Sequence, residues 1–214
     1  SVKRFGTEEK VKKTQFSERN ISMVMDMYEL TMSNGYFNQK NQETMVAFDV
    51  FYRKNPDNEG FAIFAGLEQV VEYIRNLHFS EEDVEYLRSR NLFTEEFLDY
   101  LLHFKFKGDI YAMPEGTIMY PNEPIMTVVA PLIDAQLIET AVLLQINHQS
   151  LIATKTNRIV RAANGKPVSD FGARRAHNVD AAVYGARAAY IGGAVGTATV
   201  LAGKMFGIPI SGTM

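Results

Sequence analysis

Apolar residues return at helical spacing from Ser22 to Phe37, with Met23, Met27 and Leu30 on one face and Ser22 placed to cap the first turn. Thr44 to Lys54, "TMVAFDVFYRK", is rich in β-branched and aromatic residues and predicts a strand, which "NPDNEG" then ends. Phe61 to Leu77 has the pattern of an amphipathic helix. Ser80 before Glu82 and Asp83, and Thr94 before Glu95 and Glu96, mark the capped starts of two short helices with acidic first turns. The texture changes at Gly108. From there to Pro131 four prolines separate short β-type runs, which favours short strands and turns over any long helix. A mixed α+β region therefore closes near residue 131.

Beyond Pro131, "DAQLIETAVLLQINHQSLIATKTNRIVRAA" predicts a long apolar helix that could break where polar residues gather, from Asn147 to Ser150. "NGKP" ends it, and Val168 to Phe171 follows as a strand. "VDAAVYGARAAYIGG" and "TATVLAGKMFG" predict two more helices, and Ile208 to Ile210 another strand. Helix, strand, helix, helix, strand is the rhythm of a parallel α/β sheet or barrel. Ala181, Ala182, Gly185 and Ala188 are small enough to let a helix sit close on that sheet. Residues 1–20 are polar and basic-leaning without a sustained period, which predicts a loosely held arm.

Composition narrows the class without naming a function. The chain has 214 residues, 46% of them hydrophobic, enough to build one large or two modest cores. A formal charge of −3 gives no field that would gather nucleic acid or anionic lipid. With no cysteine, disulfides, thiolate nucleophiles and Cys-ligated zinc are excluded. No apolar run approaches the roughly 20 residues of a membrane helix, and no signal-peptide pattern opens the chain, so a soluble cytoplasmic protein is expected. Ser1 is not a natural initiator, and the last strand stops just as it delivers a loop. The front part of a longer polypeptide is the expectation.

The chemistry concentrates in "VSDFGARRAH", Val168 to His177. If Val168 to Phe171 is a strand of a parallel sheet, Arg174 and Arg175 stand at its carboxyl end, where α/β folds place binding and catalytic groups. A guanidinium grips a carboxylate or phosphate through two parallel hydrogen bonds. One arginine could hold an anionic substrate while the other pairs with structure; spacing alone favours the other reading, a surface or salt-bridged pair. His78, His103, His148 and His177 are scattered without metal spacing, His177 being of interest because it follows the arginines. "GGAVGTAT", Gly192 to Thr199, could accept an anion at a helix start or serve close packing. Lys155, Arg158 and Arg161 form a charged stripe at three-residue spacing, the pattern of a solvated or salt-bridged face.

Several stretches together resemble the nicotinate phosphoribosyltransferases. "MDMYELTMSNGYF" is similar to that family's opening helix. "AFDVFYRKNPDNEGFAIFAGLEQVVEYI", "YPNEPIMTVVAPLIDAQLIETAVLLQINHQSLIATK", "DFGARRA" and "AAYIGGAVGTATVLAGKMFGIPISGTM" then follow in family order, covering nearly everything from residue 21. The resemblance implies a type II phosphoribosyltransferase. Its fold would be an N-terminal α+β domain over 21–131 and the first part of an irregular α/β, TIM-like barrel over 132–214, working as a homodimer. The implied activity joins nicotinate to phosphoribosyl pyrophosphate, giving nicotinate mononucleotide and pyrophosphate in NAD salvage. ATP hydrolysis, with magnesium, drives it through a phosphohistidine.

By the same resemblance, Tyr28 matches the aromatic residue that stacks on the nicotinate ring across the dimer interface. Arg174 matches the arginine facing the anionic ligand, and Thr213 a threonine lining that pocket, with Arg175 left structural. The chain also departs from the family pattern. The phosphorylated histidine is expected just after Met214, so none of the four histidines here inherits its role, and residues 1–214 alone are expected to be inactive. Ala194, Val195 and Thr199 differ from the family's usual residues in the glycine-rich stretch. Two other readings stay open: a truncated, non-catalytic protein that binds nicotinate or dimerises, and a relative acting on quinolinate or nicotinamide. Arg174 favours a carboxylated ring, because nicotinamide offers no anion to neutralise.

Overall fold

The computed structural model describes residues 3–4 and 19–213. The arm expected over residues 1–20 lies largely outside them; Lys3–Arg4 forms a two-residue strand, β1. The first helix, α1, runs Met27–Asn38. Its cap is Asp26, not Ser22: Glu29 Oε1 accepts from the Asp26 N–H at 3.2 Å, closing a capping box. Ser22 is buried instead, and its hydroxyl accepts from the His78 N–H at 3.0 Å.

An antiparallel sheet follows. β2 (Met45–Val50), β4 (Asp109–Ala112) and β6 (Met126–Pro131) join β1 in the order β1-β4-β6-β2. Met45 stands opposite Pro131 and Val50 opposite Met126. Met126, Val128 and Ala130 therefore point together into the core, while Thr127 and Val129 face away. The proline-punctuated stretch behaves as its spacing predicts, with a second short pair formed by β3 (Ala62–Ile63) and β5 (Ile118–Met119).

Phe61 to Gly66 is not helical, so the helix expected over 61–77 is shorter: α2 runs Leu67–Asn76. Gly66 has φ +104°, and a Cβ there would meet the Gln145 carbonyl oxygen at 2.5 Å, so only glycine allows this close crossing. Ser80 and Thr94 cap α3 (Glu81–Arg88) and α4 (Glu95–Leu102) as expected. Phe97, Leu98 and Leu101 on α4 are fully buried together with Phe64, Ile133 and Leu137.

A short helix, α5 (Leu132–Gln136), leads into α6 (Glu139–Ala162). The break expected near Asn147 to Ser150 is absent; the interruption falls between these two helices, at Leu137 and Ile138. The polar residues have another task. Ser150 Oγ accepts from Ala65 N–H at 3.0 Å, and Thr154 Oγ1 from Ile63 N–H at 2.8 Å. They satisfy backbone groups of the β3 segment that would otherwise be buried without partners. The basic stripe on the same helix is structural. Arg158 and Lys155 reach Asp57 at 2.9 and 3.3 Å, and Arg161 lies over the Phe61 ring.

Asp134 on α5 is 2% exposed, and burial pushes its carboxyl up to about 6, although it accepts from Lys107 N–H at 2.6 Å. The folded state thus holds this proton more tightly than the unfolded chain. Stability is expected to rise as pH falls through 6 and to level off below the ordinary value of 3.8. Asp134→Asn, which keeps the Lys107 contact, should remove about 1–3 kcal/mol of that pH dependence in urea titrations at pH 4 and pH 7.

The last third is parallel. β7 (Ser169–Asp170) pairs with β8 (Gly196–Thr197), and Thr197 bridges in parallel to Ile210. Between them lie α7 (Val179–Ile191) and α8 (Val200–Phe206). β8 corrects the sequence reading, which placed Gly196 just before a helix and Thr197 at its start; the helix begins only at Val200. Two residues are too few to show a strand period. Gly192 ends α7, and Gly196 sits so close to Pro209 that a Cβ would meet its carbonyl oxygen at 2.5 Å; these glycines serve packing.

Candidate functional site

The carboxyl ends of the parallel strands bring three loops to one edge. After β7, Gly172 opens a single 3-10 turn, Ala173–Arg175. Arg174 is exposed and forms no hydrogen bond or ion pair with a described residue. Arg175 reaches back to the Phe171 carbonyl at 3.5 Å, a long contact. After β8 come Ala198 and Thr199, and after Ile210 come Ser211 to Thr213, which are exposed. Thr197 joins the three: it is fully buried, its N–H donates to Pro209 O at 3.0 Å, and its carbonyl accepts from Ser211 N–H at 3.1 Å. Arg174 and Thr213 thus rise from strand ends on either side of β8, and no described hydrogen bond links them.

Tyr28 lies elsewhere, on the first turn of α1, 41% exposed. Partial burial and a hydrogen bond to the Glu139 carboxylate hold its phenol protonated well above the ordinary tyrosine range. Beside it, Glu29 is fully buried, and burial raises its carboxyl despite hydrogen bonds from Thr140 and the Asp26 backbone. Met27 and Met32 flank Tyr28 on α1 and are exposed as well. Within one chain, then, Tyr28 is not in contact with Arg174 or Thr213 through any described bond, and the three do not form one pocket.

Three cavities lined by described residues lie in other places. One of about 250 Å³ lies between the 19–24 segment, α2, α6 and α7, lined by Glu72, Tyr73, Asp180 and Tyr184 among others. Two apolar grooves of about 440 and 460 Å³ run between β2 and α6, past Phe48, Phe51, Leu143 and Leu151. Three of the four histidines are tied to backbone carbonyls: His78 to Asn76, His103 to Asp99 and His148 to Ala181. His177 is exposed in the loop after the arginines.

The family model for the nicotinate phosphoribosyltransferase (NAPRTase) N-terminal domain matches residues 23–147. The chain belongs to the nicotinate phosphoribosyltransferase family. It is 47% identical over 193 residues to nicotinate phosphoribosyltransferase pncB2 of Mycobacterium tuberculosis, covering 90% of this chain and 42% of that protein. With the nicotinate phosphoribosyltransferase of Bacillus subtilis the identity is 45% over 198 residues, covering 92% and 40%. The chain therefore spans about two fifths of the length of these relatives. Among solved structures, human nicotinic acid phosphoribosyltransferase superposes with a TM-score of 0.83 at 31% identity, over 89% of this chain and 39% of that one. A nicotinate-nucleotide pyrophosphorylase from Pyrococcus furiosus gives 0.70 at 30% identity, over 94% and 45%.

Against this family background, the sequence reading missed the polar cluster that joins the first half of the chain to the second. Arg187 on α7, 9% exposed, donates to both Glu115 oxygens at 2.9 and 2.6 Å, to Gln149 Oε1 at 3.1 Å and to Glu68 at 2.5 Å. Glu115 also accepts from the Gly66 and Leu67 N–H groups at the start of α2. The one available signal was an arginine inside the alanine-rich run of α7, where a buried charge demands a partner. Asp170 was missed too, hidden within the β7 strand.

Proposed function

We propose that this chain serves in a nicotinate phosphoribosyltransferase of NAD salvage, which joins nicotinate to phosphoribosyl pyrophosphate and releases pyrophosphate. The observation that carries the reading is Arg174, a guanidinium with no described partner at the carboxyl end of a parallel strand. There it would neutralise the pyridine carboxylate through two parallel hydrogen bonds, fixing the ring with its nitrogen toward the sugar donor. Thr213, at the strand end on the far side of β8, lines the same pocket in this reading. The α+β region of 21–131 and the parallel region of 132–214 are taken as two domains, the second contributing the opening strands of an α/β barrel.

Tyr28 is the stacking partner for the ring, its phenol kept protonated by burial and the nearby Glu139 carboxylate. Because Tyr28 does not reach Arg174 within one chain, the reading places it in a partner copy's site. The exposed apolar side chains around it and along β2, such as Met27, Met32, Met45 and Phe51, support a homodimer. Tyr28→Ala is expected to weaken nicotinate binding by about 1–3 kcal/mol, read as KM, by analogy with the stacking of bases on aromatic side chains. An unchanged KM and kcat would remove Tyr28 from the site.

ATP and magnesium enter the proposal as co-substrate and ion. Among the described residues no group of three or more His, Asp or Glu side chains is placed to hold a metal ion, so no step is derived through one. No helix among the described residues is long and apolar enough to cross a membrane, and a cytoplasmic setting is part of the proposal. The test is formation of nicotinate mononucleotide and pyrophosphate by the natural full-length polypeptide, with residues 1–214 alone giving none. Absence of product from the full-length protein, or selective use of nicotinamide or quinolinate, would overturn the reading.

A further inference from the structure

Arg174 can recognise a carboxylate only if its turn is held still, and one side chain does the holding. Asp170, the last residue of β7, uses both carboxylate oxygens and its carbonyl. Oδ1 accepts from the Gly172 N–H at 3.0 Å, closing the turn that carries Arg174. Oδ2 accepts from the Thr197 hydroxyl at 2.9 Å. The Asp170 carbonyl accepts from the Ala198 N–H at 2.9 Å. The Thr197 hydroxyl, having donated to Asp170, accepts from the Thr199 N–H at 3.0 Å. The chain of bonds therefore runs from Gly172 through Asp170 and Thr197 to Thr199, across two adjacent strand ends. The backbone of Thr197 extends it to Pro209 and Ser211, just before Thr213.

The charges sort in an informative way. Asp170 is the nearest acid in sequence to the two arginines, yet its oxygens are taken by an N–H and a hydroxyl, and it forms no ion pair with Arg174 or Arg175 among the described residues. An acid serving only to balance the arginines would face them. This one is engaged by a backbone N–H and a hydroxyl and fixes the backbone, leaving the Arg174 charge for a ligand. We infer that Asp170, with Thr197, is a positioning residue for the carboxylate-binding arginine: it sets the Gly172–Arg174 turn relative to the loops after β8 and Ile210. The inference rests on the proposed function and adds the residue that determines its carboxylate specificity.

The test is a double-variant cycle in the natural full-length polypeptide, reading KM separately for nicotinate and for phosphoribosyl pyrophosphate. Asp170→Ala is expected to raise the nicotinate KM about ten- to a hundred-fold through misplacement of the turn, with little change for phosphoribosyl pyrophosphate. Asp170→Asn, which keeps an acceptor for Gly172, should recover part of the loss. In an Arg174→Ala background, Asp170→Ala should add nothing, because its effect passes through that guanidinium. Where Asp170→Ala does not fold, Thr197→Val removes the Oδ2 partner, together with the acceptor for the Thr199 N–H, at nearly constant shape and should act in the same direction. Multiplying effects in the double variant, or equal rises in both KM values, would overturn the positioning role alone. An Arg174→Ala variant with unchanged nicotinate KM would overturn the proposed function and this inference together.

Discussion

Arg187→Ala is expected to cost about 3–5 kcal/mol of folding stability. The arginine is nearly buried, and its Nη1 and Nη2 meet the two oxygens of Glu115. Removing it strands a carboxylate that is itself mostly buried and that caps the start of α2 through Gly66 and Leu67. Gln149 would lose a partner as well. The pair with Glu68 adds little, because that carboxylate is about half exposed. Most of the cost is thus the penalty of an unpaired buried acid. Combining Arg187→Met with Glu115→Gln removes both charges and should recover a large part of the loss. Urea unfolding of the single and double variants checks this; a single-variant loss below about 1 kcal/mol would mean the cluster is better hydrated than its burial implies.

Arg174→Ala is expected to raise the KM for nicotinate by the equivalent of about 2–4 kcal/mol, roughly 30- to 700-fold, in the natural full-length polypeptide. The same change should leave stability nearly untouched, since Arg174 is exposed and bonds to no described residue. That contrast would separate the two arginines: position 187 is expected to matter for folding, position 174 for the ligand. Arg174→Lys keeps the charge but not the paired donors and should fall between wild type and alanine. Steady-state kinetics alongside thermal unfolding would show it. A KM unchanged by the alanine variant would leave the carboxylate contact without its group.

What could be read in advance follows from how local each signal is. The caps at Ser80 and Thr94, the proline-spaced strands and the charged stripe of α6 depend on neighbours a few residues away, and they stand in the structure where the sequence puts them. The errors have distant causes. Phe61 to Gly66 carries helical periodicity, but Ser150 and Thr154, some 90 residues on, draw its backbone into an extended path. The polar run from Asn147 to Ser150 suggests a break only because its partners are invisible from the sequence. β8 is two residues long and exists through its parallel neighbours. Ser22 has the chemistry of a cap, yet Asp26 with Glu29 offers a full capping box nearer the helix.

The site was legible in part. Arg174 stands where a strand followed by glycine predicts, at the carboxyl end of β7. Tyr28 entered through family resemblance alone, since an exposed tyrosine on a short helix carries no signal of its own. Asp170 and Arg187 escaped because a carboxylate at a strand end and an arginine in an alanine-rich helix acquire meaning only from the groups they meet.

The most direct measurement is a crystal structure of the natural full-length polypeptide with nicotinate bound. The account predicts the pyridine carboxylate within about 2.7–2.9 Å of two Arg174 nitrogens. A ligand whose carboxylate is held by other residues, with Arg174 still turned to solvent, would contradict it.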